Sequence, residues 1–262
     1  MSTESVTRYE VRGAAAWVTL ASPATRNALS AQMITELGER LDAALADPAV
    51  RVIVLTGTPP AFCAGADLKA GGAAVAQGGS GSNPFVDVLR RIWDGPKPVV
   101  AAVNGHAFGG GIGLVAAADI AIAVESAAFS FSEVRVGVIP AMISVVVLPK
   151  LGVHDTMRLF LTGRRFDAHE ALGYGILHRV VAVDGLEAAV QEEVDAIALG
   201  GPNAVREAKQ LVRTISRVSV DEGFAYAEAK IAELFASAEA ADGMAAFAQR
   251  RKPSWAEPSR AG

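Results

Sequence analysis

A run of small residues follows the first strongly apolar segment of the chain. Residues 50–56 (VRVIVLT) predict a buried strand, and residues 62–69 (FCAGADLK) come after it. Small side chains leave backbone N–H groups uncovered, so a ligand oxygen can approach them, and Lys69 could neutralise an anion nearby. The alternative is an ordinary exit from a strand, in which Cys63 is a small buried apolar residue.

A second run of small residues, 104–113 (NGHAFGGGIG), follows another predicted strand at residues 99–103. Glycines at the start of a helix leave N–H groups bare at its positive end, where negative charge on an oxygen is stabilised. Residues 111–116 also match the G-x-G-x-x-A pattern of dinucleotide-binding proteins. That interpretation is the weaker one, because the glycines lie far from the strand end and the following helix is short.

One acid, Glu133, lies in the otherwise apolar segment 129–140 (FSFSEVRVGVIP). Burial raises the pKa of a carboxyl group and suits it to moving protons. The alternative is a pair between Glu133 and Arg135 at a surface turn. The histidines lack metal-ligand spacing, and no nucleophile elbow is present, so neither a metal site nor a serine hydrolase is expected.

Composition narrows the function classes. The 262 residues, 51% of them hydrophobic, can bury a core without disulfides, and the single cysteine excludes an internal disulfide and predicts a cytoplasmic location. The net charge of −4 argues against a nucleic-acid surface.

The N-terminal residues lack the apolar segment of a secretory signal. The uncharged stretch 99–118 has the length of a membrane span, but its glycines favour a strand, a turn and a buried helix.

Strand patterns alternate with helix patterns in the first part of the chain, which predicts an α/β fold with a parallel sheet covered on both faces. From about Leu186 only helical patterns remain, so we expect an α/β core at residues 1–185 and an all-helical region at 186–262 that serves oligomerisation. Residues 71–82 (GGAAVAQGGSGS) predict a loop. The expected elements are strands at 9–11, 17–21, 50–56, 99–103 and 119–124, and helices at 30–46 (capped by Ser30), 85–93, 186–197, from Pro202, 220–235 and 244–247.

Segments spread over nearly the whole chain resemble the enoyl-CoA hydratase/isomerase (crotonase) superfamily, in the family's order. They are residues 23–29 (PATRNAL), 62–69, 98–111, 119–121 (DIA), 131–140 and 247–253, which ends in RKP. The resemblance implies a β-β-α spiral core with a helical C-terminal trimerisation region, assembled as trimers or hexamers. It also implies acyl-coenzyme A thioester substrates, with coenzyme A entering as part of the substrate and no permanently bound cofactor.

The resemblance also implies roles for individual residues. The N–H groups of Ala66 and Gly110 would hold the thioester oxygen while negative charge develops on it, and Glu133 would act as acid and base. Coenzyme A would be bound at Ala64, Arg26, Asp67, Leu68, Lys69 and Lys252, with Ala64 meeting the adenine and the basic side chains near the phosphates.

One position departs from the family's hydratases. Those enzymes share a water between two glutamates; the second corresponds to Glu133, but the first falls on Gly113. The apolar segment 141–147 (AMISVVV) would also reshape the acyl pocket. The family label therefore favours an enoyl-CoA hydratase, whereas the residues favour a single-glutamate double-bond isomerase. A non-catalytic acyl-CoA binder is a further alternative, and Asp87 is a candidate replacement acid.

Overall fold

Two sheets and a set of helices make up the fold of the computed structural model, which describes residues 4–67 and 83–256. The strands are β1 (Thr7–Arg12), β2 (Ala15–Leu20), β3 (Val52–Gly57), β4 (Ala61–Cys63), β5 (Val99–Val103), β6 (His106–Phe108), β7 (Ile120–Val124), β8 (Ala128–Ser130), β9 (Arg165–Asp167) and β10 (Arg179–Val181). The helices are α1 (Ala31–Ala46), α2 (Pro84–Trp93), α3 (Gly110–Ala117), α4 (Ala141–Thr162), α5 (Ala168–Gly173), α6 (Leu186–Ala198), α7 (Pro202–Ile215), α8 (Val220–Phe235) and α9 (Ala238–Ala248). The predicted loop at 71–82 lies outside the described residues.

The larger sheet has six strands in the order β1-β2-β3-β5-β7-β10. Only β1 and β2 pair antiparallel within it, which confirms the predicted α/β fold with a largely parallel sheet. The smaller sheet has the order β4-β6-β8-β9, and β4, β6 and β8 run parallel. Sequence patterns did not predict this second sheet, because strands of three residues are too short to show an alternation.

Helix α1 illustrates how the sequence dictates a local element. The Ser30 hydroxyl accepts a hydrogen bond from the Met33 N–H at 3.2 Å, which confirms the predicted N-cap. Met33, Leu37 and Leu41 share one face and are fully buried. Strands β3 and β5 are apolar on both faces because helices cover both sides of the sheet.

The uncharged stretch 99–118 forms β5, β6 and α3, so the predicted strand and buried helix are confirmed, and the short strand β6 is an addition. No helix within the described ranges is long and apolar enough to cross a membrane.

Helix α4 is bent where Gly152 leaves the helical conformation, with φ at 70°. The inner face of its first half buries Ile143, Val146 and Val147. On the outer face, side chains that include Leu148 and Met157 line an apolar pocket of about 470 Å³ in the bend. Helix α4 therefore presents one wall to the interior, beside α3, and a separate apolar surface to the outside.

The helical C-terminal region begins inside the main core. Leu186, Val190 and Val194 of α6 belong to the same hydrophobic cluster as the large sheet. Helices α7 to α9 leave large apolar side chains exposed, among them Phe224 and Phe247. The division at residue 186 and the oligomerisation role of these helices stay predictions.

Asp119 connects helix α7 to the six-stranded sheet through ion pairs and a hydrogen bond. Its carboxylate forms ion pairs with Lys209 at 2.8 Å and with Arg213 at 2.7 Å, and it accepts a hydrogen bond from the Val99 N–H at 2.8 Å. The guanidinium of Arg213 also lies over the Trp93 ring, 3.7 Å from its centroid. Both cations are largely buried, and Asp119 supplies the carboxylate with which they form ion pairs, while Lys209 also donates to the carbonyls of Ile92 and Lys97.

The Asp119→Ala variant is expected to lose about 3–5 kcal/mol of unfolding free energy, because two buried cations are left without their carboxylate. Urea denaturation measures this loss. Glu192→Ala breaks the exposed pair with Arg179 and is the control, with an expected loss of about 0–1 kcal/mol. Equal effects of the two variants would contradict the role assigned to Asp119.

Candidate active site

The site lies where the carboxyl ends of β4 and β6 meet in the small sheet. These strands are parallel neighbours, so the residues that follow them lie side by side. Gly65, at φ 85°, is the point of closest approach: a Cβ there would lie 2.7 Å from the Phe108 carbonyl oxygen and 3.5 Å from the Gly110 nitrogen. Glycine is therefore required at this position to bring the two segments together.

Two backbone N–H groups at this junction lack an acceptor in the described part of the chain. Gly110 is the first residue of α3, so its N–H has no acceptor within that helix. Within residues 4–67 and 83–256, neither the Gly110 N–H nor the Ala66 N–H donates a hydrogen bond. The backbone around Ala66 is nevertheless fixed, because the Leu29 N–H donates to the Gly65 carbonyl at 2.8 Å. Two anchored donors of this kind can stabilise negative charge on an oxygen.

A buried asparagine holds the loop that supports this backbone. The Asn27 side-chain amide donates to the carbonyl oxygens of Thr58 at 2.9 Å and Ala61 at 2.8 Å, and its carbonyl oxygen accepts from the Ser22 N–H at 2.9 Å. Arg26, the residue before Asn27, also positions the site, because its carbonyl accepts a hydrogen bond from the Ala64 N–H at 3.0 Å. No sequence pattern predicted this role of Asn27. The only signal was its place in the segment 23–29.

Glu133 brings a carboxyl group to the same junction. It begins the 3₁₀ turn Glu133–Val136, and a Cβ on Gly109 would lie only 2.8 Å from its Oε1 atom. Its Oε2 atom is buried and has no hydrogen-bond partner within the described ranges. Burial raises the pKa of this carboxyl above its usual value, against a smaller opposing effect of its own backbone N–H. The Arg135 guanidinium instead donates to the Thr162 carbonyl at 3.4 Å, so the surface-pair alternative is not what forms.

The raised pKa of Glu133 gives a pH prediction. A base must start as the carboxylate, so kcat/KM of a reaction that begins with proton removal should fall as pH falls through that raised pKa. The acidic limb of the profile is therefore expected above pH 4.5, the ordinary value for glutamate. The position of this limb is measured from pH profiles of kcat, at saturating substrate, and of kcat/KM, at limiting substrate. A limb at or below 4.5 would mean that another group controls the rate.

The amino-acid sequence matches a known family over most of the chain. A family model described as "Enoyl-CoA hydratase/isomerase" matches residues 10–258. The chain belongs to the enoyl-CoA hydratase/isomerase family. Its fold is the crotonase fold, and it is an enzyme of this hydratase/isomerase class.

Relatives and solved structures agree with the family assignment. The carnitinyl-CoA dehydratase of Proteus mirabilis is 37% identical over 236 residues, which cover 87% of this chain and 90% of that protein. An enoyl-CoA hydratase structure from Shewanella pealeana has a TM-score of 0.90 at 31% identity and covers 95% of this chain and 96% of that one. An enoyl-CoA hydratase/isomerase from Marinobacter aquaeolei has a TM-score of 0.87 at 32% identity, with 96% and 99% covered.

Gly113, where the resemblance implied a glutamate, lies one helical turn beyond Gly109. Its N–H donates to the Gly109 carbonyl at 3.2 Å. A Cβ at Gly113 would overlap the Ile143 Cγ2 atom and would lie 3.0 Å from the Ile143 Cβ and 3.8 Å from the Leu89 Cδ2. The space that a side chain at this position needs is therefore already filled.

The residues that were predicted to bind coenzyme A differ in their position and exposure relative to this junction. Ala64 and Asp67 flank the Gly65–Ala66 backbone and are half-buried. Arg26 is exposed, and its carbonyl accepts the hydrogen bond from the Ala64 N–H. Lys252 follows α9 and is exposed in the C-terminal segment. Leu68 and Lys69 lie outside the described residues.

Neither the histidines nor the other acids form a metal centre in the part of the chain that the structure describes. No group of three or more His, Cys, Asp or Glu side chains there could hold an ion. His106 is engaged structurally, since its Nδ1 accepts a hydrogen bond from the Ala128 N–H at 3.1 Å. Asp87 lies in the first turn of α2, and its role as a replacement acid stays a prediction.

Proposed function

We propose that this enzyme moves a proton at the carbon next to the thioester of an acyl-coenzyme A substrate. The N–H groups of Ala66 and Gly110 would bind the thioester oxygen, and Glu133 would remove and return the proton. The observation that carries the proposal is the contact between the Glu133 carboxyl and Gly109, the residue that directly precedes the Gly110 N–H. A base next to an oxyanion site is the arrangement that enolate formation requires.

The reaction that this arrangement supports best is a double-bond shift between 3-enoyl and 2-enoyl thioesters. The Glu133 carboxylate would take the proton from the α-carbon, and the dienolate would carry its negative charge on the oxygen held by the two N–H groups. The protonated Glu133 would then give the proton to the γ-carbon. One carboxyl group is enough for this sequence, and no water is consumed.

Addition or removal of water is the second candidate, and the names of the relatives favour it. The matched proteins include a carnitinyl-CoA dehydratase and an enoyl-CoA hydratase. This reaction needs a group that activates water besides the acid that serves the α-carbon. Gly113 offers no side chain for it, and residues 68–82 contain no acid in the sequence. Asp67 and Asp87 are the acids that flank this stretch.

Substrate binding and assembly form part of the same proposal. The exposed guanidinium of Arg26 would lie near the phosphates of coenzyme A, which enters as part of the substrate, and Lys252 would reach them from a neighbouring subunit. The exposed apolar side chains of α7 to α9 support a homo-oligomer, a trimer or a hexamer. A cytoplasmic location agrees with the single buried cysteine.

The experiment is a panel of 2-enoyl-CoA and 3-enoyl-CoA thioesters incubated with the purified protein in deuterated and in ¹⁸O-labelled water. Mass spectrometry then separates the outcomes. A double-bond shift with deuterium exchange and no ¹⁸O supports the isomerase. A 3-hydroxyacyl product carrying ¹⁸O supports the hydratase. Binding of acyl-CoA with neither reaction would leave a non-catalytic binder and would overturn the proposed chemistry.

A further inference from the structure

Ile143 fills the space that a side chain at position 113 would need. It lies in the first turn of α4, shortly after the 3₁₀ turn that carries Glu133, and only 3% of it is exposed. Its side chain fills the space in front of the Gly113 backbone, while Leu89 of α2 closes the same space from another side. The wall beside Gly113 is therefore aliphatic.

An aliphatic wall has two consequences for chemistry. A water molecule in a buried site needs two or more polar partners, and the side chains of Ile143 and Leu89 provide none. A longer side chain at Gly113 also cannot enter, because it meets Ile143 at its first carbon.

We propose that Ile143 is a specificity-determining residue: it keeps a nucleophilic water and a second acid away from the side of the site that Gly113 lines. This inference rests on the proposed proton-transfer function and explains why that function would end in a double-bond shift. It predicts that glycine at position 113 and isoleucine at position 143 act as a pair. Changing either one alone should not produce a hydratase.

The steric part of the pair is tested by thermal unfolding of Gly113→Ala, Ile143→Ala and the double variant. Gly113→Ala should lower Tm because its methyl group meets Ile143. The double variant should be more stable than the sum of the two losses predicts. Val147→Ala, a fully buried residue on the same helix, is the control and should add independently to Gly113→Ala. Additive losses in both pairs would overturn the proposed contact.

The chemical part is tested with Gly113→Glu, alone and together with Ile143→Ala. In the double variant the new carboxyl can enter the site, and the ratio of hydration to double-bond shift should rise by about 10²-fold or more, the lower end of general-base contributions. The single variants should show no such rise. A folded double variant that exchanges the α-proton but keeps the wild-type ratio would overturn the role of Ile143.

Wild-type exchange of the α-proton is measured first, in deuterated water. Its absence with every thioester would overturn the proposed function, and the role of Ile143 with it. Exchange in the wild type combined with hydration by Gly113→Glu alone would overturn only the role of Ile143. The two failures therefore give different results in the same assay.

Discussion

Replacing Glu133 with glutamine is expected to lower kcat for proton transfer by about 10²–10⁴-fold. Glutamine keeps the size of the side chain but cannot remove or return a proton. The carboxyl lies against Gly109, and its raised pKa keeps the protonated form accessible nearer to neutral pH than in an exposed glutamate. Exchange of the α-proton in deuterated water measures the loss directly.

Binding and stability serve as the controls for this variant. Affinity for a saturated acyl-CoA should be unchanged, since the proposed thioester contacts come from backbone N–H groups. Burial raises the pKa of Glu133 in the folded state, so its contribution to stability is present at low pH and is lost as pH rises through that pKa. Glu133→Gln should therefore be at least as stable as the wild type at neutral pH.

The matched control is Glu125→Gln, which changes an exposed glutamate after β7 and should keep full activity. Equal activity of the two variants would contradict a catalytic role for Glu133.

Replacing Ala66 with proline is expected to lower kcat/KM by about 10²–10³-fold, the usual loss on removing one oxyanion donor. Proline removes the N–H of residue 66 itself. Within the described ranges this N–H donates no hydrogen bond, so its loss breaks no contact there. The preceding residue is Gly65, which tolerates the backbone restriction that a proline imposes better than any other residue.

Ala66→Val is the control, because valine adds similar bulk and keeps the N–H. The proline variant should lose far more activity than the valine variant, while both retain the unfolding midpoint of a folded protein. The Leu29 bond to the Gly65 carbonyl remains possible in both variants. Similar losses in the two variants would show that bulk at residue 66, and not its N–H, is what matters.

Local patterns in the amino-acid sequence are sufficient to predict the elements that have a clear period or a clear cap. The apolar spacing of α1 and the Ser30 cap are local features, and the β-branched runs of β3 and β5 mark strands that are buried on both sides. The order of family segments also determined which residues to compare, including Ala66, Gly110 and Glu133. Helix α4 was not predicted, because Pro149 and Gly152 interrupt its pattern.

The contacts of those residues depend on how distant segments pack against one another. Sequence left Glu133 either as a buried acid or as half of a surface pair, and the choice was made by Gly109, whose missing side chain leaves room for the carboxyl. The role of Asn27 depends on carbonyl oxygens about thirty residues further along the chain, which no local pattern reveals. Gly113 alone signals a missing acid, but the isoleucine that fills its place lies on another helix. Contacts between distant segments depend on packing in three dimensions, and a one-dimensional period carries no information about them.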